Sequence, residues 1–388
     1  MTAQVAHRPG AAPPPPQSSQ PQAQAAVTGH LWQVDVVRIL TFGCVIGVHA
    51  TSHANPGTST AAGATLMLLH FTREVFFLLT GFVLFHAHGR RPLHLGQFWR
   101  RRCTLVGVPY VVWTVVYFFA HIPGSPTGGW WLQRLGFELL TGTACYHLYF
   151  LLVSLQAYLL FPVLRAVVRR TEGHHGWLLG AALAIQLAQT WALQAAGPVG
   201  GGWGVLARHA DALLPTYIAY LVAGALAAWH LPRWQRWVEH HPVWVAAAVA
   251  GGAATALGAY AAQLHGPASA GHAQAVLQPA MLPWSLAVGA GLYALGSAWA
   301  ARGPRVRLRR LVQVGSHISF GVYLVHPLAL QWFAEHGLGL PDRRLPALPA
   351  TVLLVLASIV VASAAVLAVQ RTALSLPLTG RERRPAPG

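Results

Sequence analysis

The stretch Val34–His49, VDVVRILTFGCVIGVH, decides the fold class and raises the functional question. It forms most of an apolar run over 31–50, and about 20 such residues cross the hydrocarbon core of a bilayer. A helix that only spans lipid has no use for Asp35 and Arg38 near one end and His49 near the other. Each ionisable group at membrane depth costs a few kcal/mol unless paired or hydrated, so its presence there points to function. Eleven helical steps of about 100° bring His49 to within about 20° of the face of Arg38, about 16 Å further along the axis. Both side chains are expected to look into one groove at different depths. Asp35 lies one turn from Arg38, close enough to pair with it.

The rest of the chain has the same character. Of 388 residues, 54% are hydrophobic and 9% charged, whereas a soluble domain carries about a quarter charged residues. Hydropathy gives spans near 31–50, 65–86, 104–121, 147–167, 177–196, 211–230, 243–263, 279–300, 315–334 and 350–370. The expected fold is an all-α polytopic membrane protein of about ten transmembrane helices. All 26 basic residues are Arg. With the N-terminus inside, twenty fall on the cytoplasmic side and four outside, while Arg38 and Arg73 lie within spans. That bias places both termini in the cytoplasm. The net charge of +17 is spread between apolar runs and carries no basic-face motif, which excludes nucleic acid.

Three segments are expected: a disordered, Pro/Gln/Ala-rich cytoplasmic tail over 1–30, a ten-helix membrane domain over 31–370, and a basic C-terminal tail over 371–388. Cys44, Cys103 and Cys145 are too dispersed for a metal or redox motif. The 21 His residues form no HExxH-type cluster, and no metal site is expected.

Further polar groups fall at membrane depth in other helices. The second span brings His70, Arg73 and Glu74, the fourth opens with His147, the sixth begins near His209 and Asp211, and the ninth holds His326. Alternating helix directions put His49, His70, His147, Asp211 and His326 in the outer half, which suggests one polar chamber. Plainer readings exist: an interfacial His147, a hydrogen-bonded structural His326, a structural Asp35–Arg38 pair. Arg73 and Glu74, adjacent and about 100° apart, are expected to need different partners.

Five motifs in order resemble those of the acyltransferase 3 family of integral membrane acyltransferases, over nearly the whole hydrophobic length. They are VDVVR with the ten-residue gap from Arg38 to His49; FFLLTGF at Phe76–Phe82, with Thr80 where the family has Ser; RRRCTLVGVPYVVW, ending beyond Pro109 and Tyr110; YHLYFLLVSLQAYLLFP; and SFGVYLVHPL. In the third, Leu105 stands where a second basic residue is expected, leaving Arg102 as the match to the first.

The resemblance implies a plasma-membrane O-acyltransferase moving an acyl group, often acetyl, from cytoplasmic acyl-CoA to a sugar hydroxyl. Acyl-CoA is then a donor substrate; no bound cofactor is implied. Arg38 would hold the donor, oriented by Asp35, since a guanidinium suits phosphate or a carbonyl oxygen. His49 would be the general base, because an unperturbed imidazole near pKa 6.5 accepts a proton at neutral pH. Glu74 could orient His49 by accepting its second N–H, and Arg73, Arg102, His147 and His326 would line the substrate path. Direct transfer and an acyl-His intermediate both remain open, whereas Thr80 and Ser154 lack a paired base. The rival is a transporter or flippase for a glycan or metabolite, which also needs polar residues at depth.

Overall fold

The first helix forms because residues 32–54 hold a run of aliphatic and small residues without proline. In the computed structural model, which describes residues 30–122, 128–195, 201–266, 273–339 and 345–383, every regular element is helical. The α-helices are α1 (Trp32–Ala54), α2 (Thr60–Leu69), α3 (Thr72–His88), α4 (Leu95–Arg102), α5 (Val108–His121), α6 (Trp130–Thr141), α7 (Tyr149–Arg170), α8 (His175–Ala195) and α9 (Gly201–Arg208). They continue with α10 (Ile218–Trp229), α11 (Leu231–His240), α12 (Pro242–Leu264), α13 (Met281–Ala301), α14 (Val306–Phe333), α15 (Ala347–Val369) and α16 (Ser375–Thr379). The tail expected over 1–30 lies, apart from its last residue, outside the described residues.

Among the described residues, eight segments are long and apolar enough to cross a membrane. A ninth is the pair α10–α11 with the 3₁₀ turn before it, bent by 93°. The remaining expected span, 315–334, lies in the 28-residue α14. At 1.5 Å per residue α14 is long enough to span, but Ser316, His317, His326 and Gln331 dilute its apolar character. The protein is an all-α polytopic membrane protein.

α1 is central and packs against α3, α13, α14 and α15. α8, α12 and α15 turn Trp177, Trp191, Val243, Trp244, Leu348 and Val360 outward, all exposed, as lipid-facing helices do. α3 lies closely along α10 because Gly81 and Gly224 meet each other's backbone. A Cβ on Gly81 would strike the Leu221 carbonyl, and one on Gly224 the Leu78 carbonyl. The glycine of the FFLLTGF motif thus serves close helix approach.

Three features depart from a simple bundle. The second span breaks at His70–Phe71, between α2 and α3; irregular backbone at membrane depth is tolerated where it lines a protein cavity. The third span starts at Leu95 and passes through a π-helical turn, Cys103–Gly107, just before Pro109. Pro109 has no N–H to offer the Leu105 carbonyl, and Gly380 packs against that carbonyl. The basic C-terminal segment folds back onto the bundle: α16 packs on α5, and Trp113 Nε1 donates to the Leu378 carbonyl at 3.0 Å. Gly380 adopts φ +63°, a left-handed turn that suits glycine, and the chain then delivers Arg381 to the bundle's interior.

Candidate active site

One end of the bundle holds an arginine-rich recess. An open part of about 680 Å³ is lined by Arg100, Arg101, Thr104, His317 and Arg381. Leu105 and Arg381 also border a deeper cavity of about 230 Å³, which takes in Arg38, Arg102, Ser154, Tyr158 and Ser316. Asp35 is buried beside it. Arg38 Nη1 donates to Ser316 Oγ at 3.0 Å, and Ser316 Oγ donates to Asp35 Oδ1 at 2.5 Å. The direct Arg38–Asp35 approach is 3.7 Å, so a serine from α14 completes the pair read from sequence. Arg102 lies over the Tyr158 ring at 5.1 Å. Burial, with the like charges of Arg38 and Arg101 nearby, lowers Arg381 from the ordinary arginine value, as desolvation and neighbouring like charge do.

Further along α1 is a second cavity of about 250 Å³, lined by His49, His70, Arg73, Tyr146, His147, Tyr149 and Asp211 among others. Four of the five residues assigned to one polar chamber line it. The fifth, His326, is fully buried behind His49, with ring centroids 5.6 Å apart, and lies 5.4 Å from His147. His326 Nδ1 is 2.7 Å from the Tyr323 carbonyl. A carbonyl only accepts, so Nδ1 carries the hydrogen and Nε2 of the neutral ring is an acceptor. His49 also packs on Tyr146, at 4.1 Å between ring centroids. Buried and without protein partners are His326 Nε2, both ring nitrogens of His147, His70 Nδ1, Arg73 Nη2 and Glu74 Oε2. Such a concentration of unpaired polar atoms marks a place built for water or a polar ligand.

Three expectations change. Arg38 and His49 share a stripe of α1 but not a groove, because Phe42 lies between them and they line separate cavities. Glu74 does not receive an N–H from His49. Its Oε1 accepts from Arg73 Nε at 2.9 Å, so the neighbours expected to need different partners pair with each other. Arg73 also donates from Nη1 to Tyr149 Oη at 3.4 Å and lies over the Tyr217 ring. Ser154 Oγ donates to the Phe150 carbonyl at 2.8 Å, which leaves it a poor nucleophile. Sequence reasoning missed Arg381, Ser316 and the vestibule role of Arg100 and Arg101; their only signal was basic or hydroxyl character beside apolar runs. No group of His, Cys, Asp or Glu among the described residues could hold a metal ion.

Two neighbouring cavities with charged and polar linings thus lie inside a lipid-facing helical bundle. The chain belongs to the acyltransferase 3 family: residues 31–367 match that family's profile, described as an acyltransferase domain. No curated protein and no solved structure matches it. The protein is a multi-pass membrane acyltransferase.

Proposed function

We propose that the protein transfers an acyl group, acetyl as the simplest, from cytoplasmic acyl-CoA to a hydroxyl of a sugar-containing acceptor across the plasma membrane. What supports this reading most is the arginine track: Arg100, Arg101, Arg381, Arg102 and Arg38 line two adjoining cavities that share Leu105 and Arg381. The donor is a polyanion with a long uncharged arm. Its phosphates suit the guanidinium-rich vestibule, and its arm suits the deeper cavity beside Arg38. Asp35, through Ser316, orients Arg38. In this reading the vestibule faces the cytoplasm, which the Arg bias of the loops supports.

The acceptor enters the His49 cavity from the opposite side. His49 takes the hydroxyl proton as the oxygen attacks the thioester carbonyl. A C–O bond forms, the C–S bond breaks, and the proton passes to the departing thiolate, giving ester and free thiol. Arg73, through its unpaired Nη2, stabilises the oxyanion. His326 keeps its Nε2 acceptor beside the reacting groups, and Tyr146 and His147 shape the acceptor's seat.

The test is mass spectrometry of glycan and metabolite extracts from native cells carrying intact protein, a deletion, or His49→Ala at matched membrane abundance. An acyl-sized mass lost in both deletion and mutant supports the reading and identifies the acceptor. A deletion that only relocates a compound, with His49→Ala equal to wild type, overturns it.

A further inference from the structure

Between the two cavities stands a closed circuit of four aromatic rings, one from each of four helices. Phe42 of α1 meets Phe76 of α3 at 4.5 Å between centroids, and Phe76 meets Phe150 of α7 at 5.4 Å. Phe150 meets Tyr323 of α14 at 5.6 Å, and Tyr323 returns to Phe42 at 5.6 Å. All are contact distances for aromatic pairs. Phe76 and Phe150 line both cavities; Phe42 lines only the arginine side and Tyr323 only the histidine side.

Each helix repeats one order along its axis. On α1, Arg38 precedes Phe42 and His49 follows it. On α3, Arg73 and Thr80 flank Phe76. At the start of α7, His147 in the preceding turn and Ser154 on the helix flank Phe150, and on α14, Ser316 and His326 flank Tyr323. In every case one neighbour belongs to the arginine cavity and the other to the histidine cluster. Four independent helices placing a ring at one level, with polar groups on both sides, make a collar.

The collar is unevenly held. Tyr323 is buried, and its hydroxyl donates to the His147 carbonyl at 2.5 Å. Phe76 is buried, and Phe150 is braced from behind by Phe77 at 4.8 Å. Phe42 is half-buried and has two ring neighbours, Phe76 and Tyr323. It alone of the four is both half-buried and without a ring contact outside the circuit.

Resting on the acyl-CoA reading, we infer that this collar is the constriction an acyl thioester crosses to reach the histidines, and that Phe42 sets the size of acyl group admitted. The rings give the passage an apolar lining that accepts a short acyl chain and excludes the charged parts of the donor. They also keep the arginine cavity from connecting through to the opposite side when no thioester lies between them.

The experiment uses the full-length protein in lipid nanodiscs with an acceptor identified from native extracts, and compares kcat/KM for acetyl-, butyryl-, hexanoyl- and benzoyl-CoA. Wild type should prefer acetyl-CoA. Phe42→Ala should raise the butyryl-to-acetyl ratio about tenfold or more, the scale of a one- or two-methylene change in an apolar passage. Phe42→Trp should lower it. Phe42→Leu, of similar volume, guards against misfolding and should shift the ratio by less, in the direction of alanine. An unchanged acyl-CoA profile in Phe42→Leu and in whichever of the other two variants folds overturns the collar proposal while acyl transfer stands. Wild-type protein that transfers from no acyl-CoA overturns the donor reading instead.

Discussion

Arg38 and His49 lie on one stripe of the first helix, yet they open into different cavities, with Phe42 between them. Eleven residues at 1.5 Å each separate the two side chains' attachment points by about 16 Å, a distance an extended donor arm bridges and a compact ligand does not. In the function proposed, the cations meet the donor's charge and the imidazoles activate the hydroxyl.

The Arg73–Glu74 pair gives the first prediction. Glu74 is buried and bonded to Arg73, so Glu74→Ala strands a mostly buried cation. Breaking such a pair costs about 3–5 kcal/mol, and the variant should lose thermal stability in detergent and membrane abundance. Glu74→Gln, which keeps the acceptor oxygen, should lose less. Neither should displace the pH profile of kcat, as loss of a carboxylate orienting His49 would. A displaced profile at unchanged stability contradicts the geometry.

Ser316 gives the second. Ser316→Ala removes the hydroxyl that joins Arg38 to Asp35. Hydrogen bonds to charged groups are worth about 1.5–3 kcal/mol, so KM for acyl-CoA should rise about tenfold or more with kcat for the bound complex little changed. Titration of initial rates against donor concentration checks this.

The returning C-terminal segment gives the third. Arg381→Ala should raise KM for acyl-CoA and leave folding intact, because the arginine faces the recess. Truncation after Leu374 should do more. It also removes the carbonyl that Trp113 binds and the α16 packing on α5, so thermal stability should fall as well. Equal stability for both variants would show that the segment does not pack as described.

Gly81 gives the fourth. Gly81→Ala forces a methyl into the Leu221 carbonyl, and Gly224→Ala does the same against Leu78. Each should lower membrane abundance or melting temperature, and the residual activity per folded molecule should stay near wild type. Densitometry of membranes beside specific activity separates the two effects.

Much of the fold was legible because lipid imposes a strong rule: an apolar run of sufficient length must be a helix. The run 31–50 became Trp32–Ala54, and 243–263 became Pro242–Leu264. The meeting of His49, His70, His147 and Asp211 was legible from helix direction alone. Phe42, Phe76, Phe150 and Tyr323 were not, because an aromatic in an apolar run looks the same whether it faces lipid, core or a passage. The Arg73–Glu74 pair was misread because backbone angles place adjacent Cβ atoms apart, while the long arginine stem curls back to its neighbour. Arg381 was invisible because the left-handed turn at Gly380 that returns it to the bundle is a tertiary event, set by packing against Leu105 and Phe320. The break at His70–Phe71 was hidden in a sequence apolar on both sides.

The central claim is that donor binding and proton abstraction sit on opposite sides of the aromatic partition. It is tested most directly by equilibrium binding of acetyl-CoA to purified protein in nanodiscs, alongside transfer activity, for wild type, Arg38→Ala and His49→Ala. The account predicts that His49→Ala binds the donor with near wild-type Kd while transfer falls by about 10²–10⁴-fold, and that Arg38→Ala weakens donor binding. Loss of donor binding in His49→Ala, with Arg38→Ala binding as wild type, would contradict it.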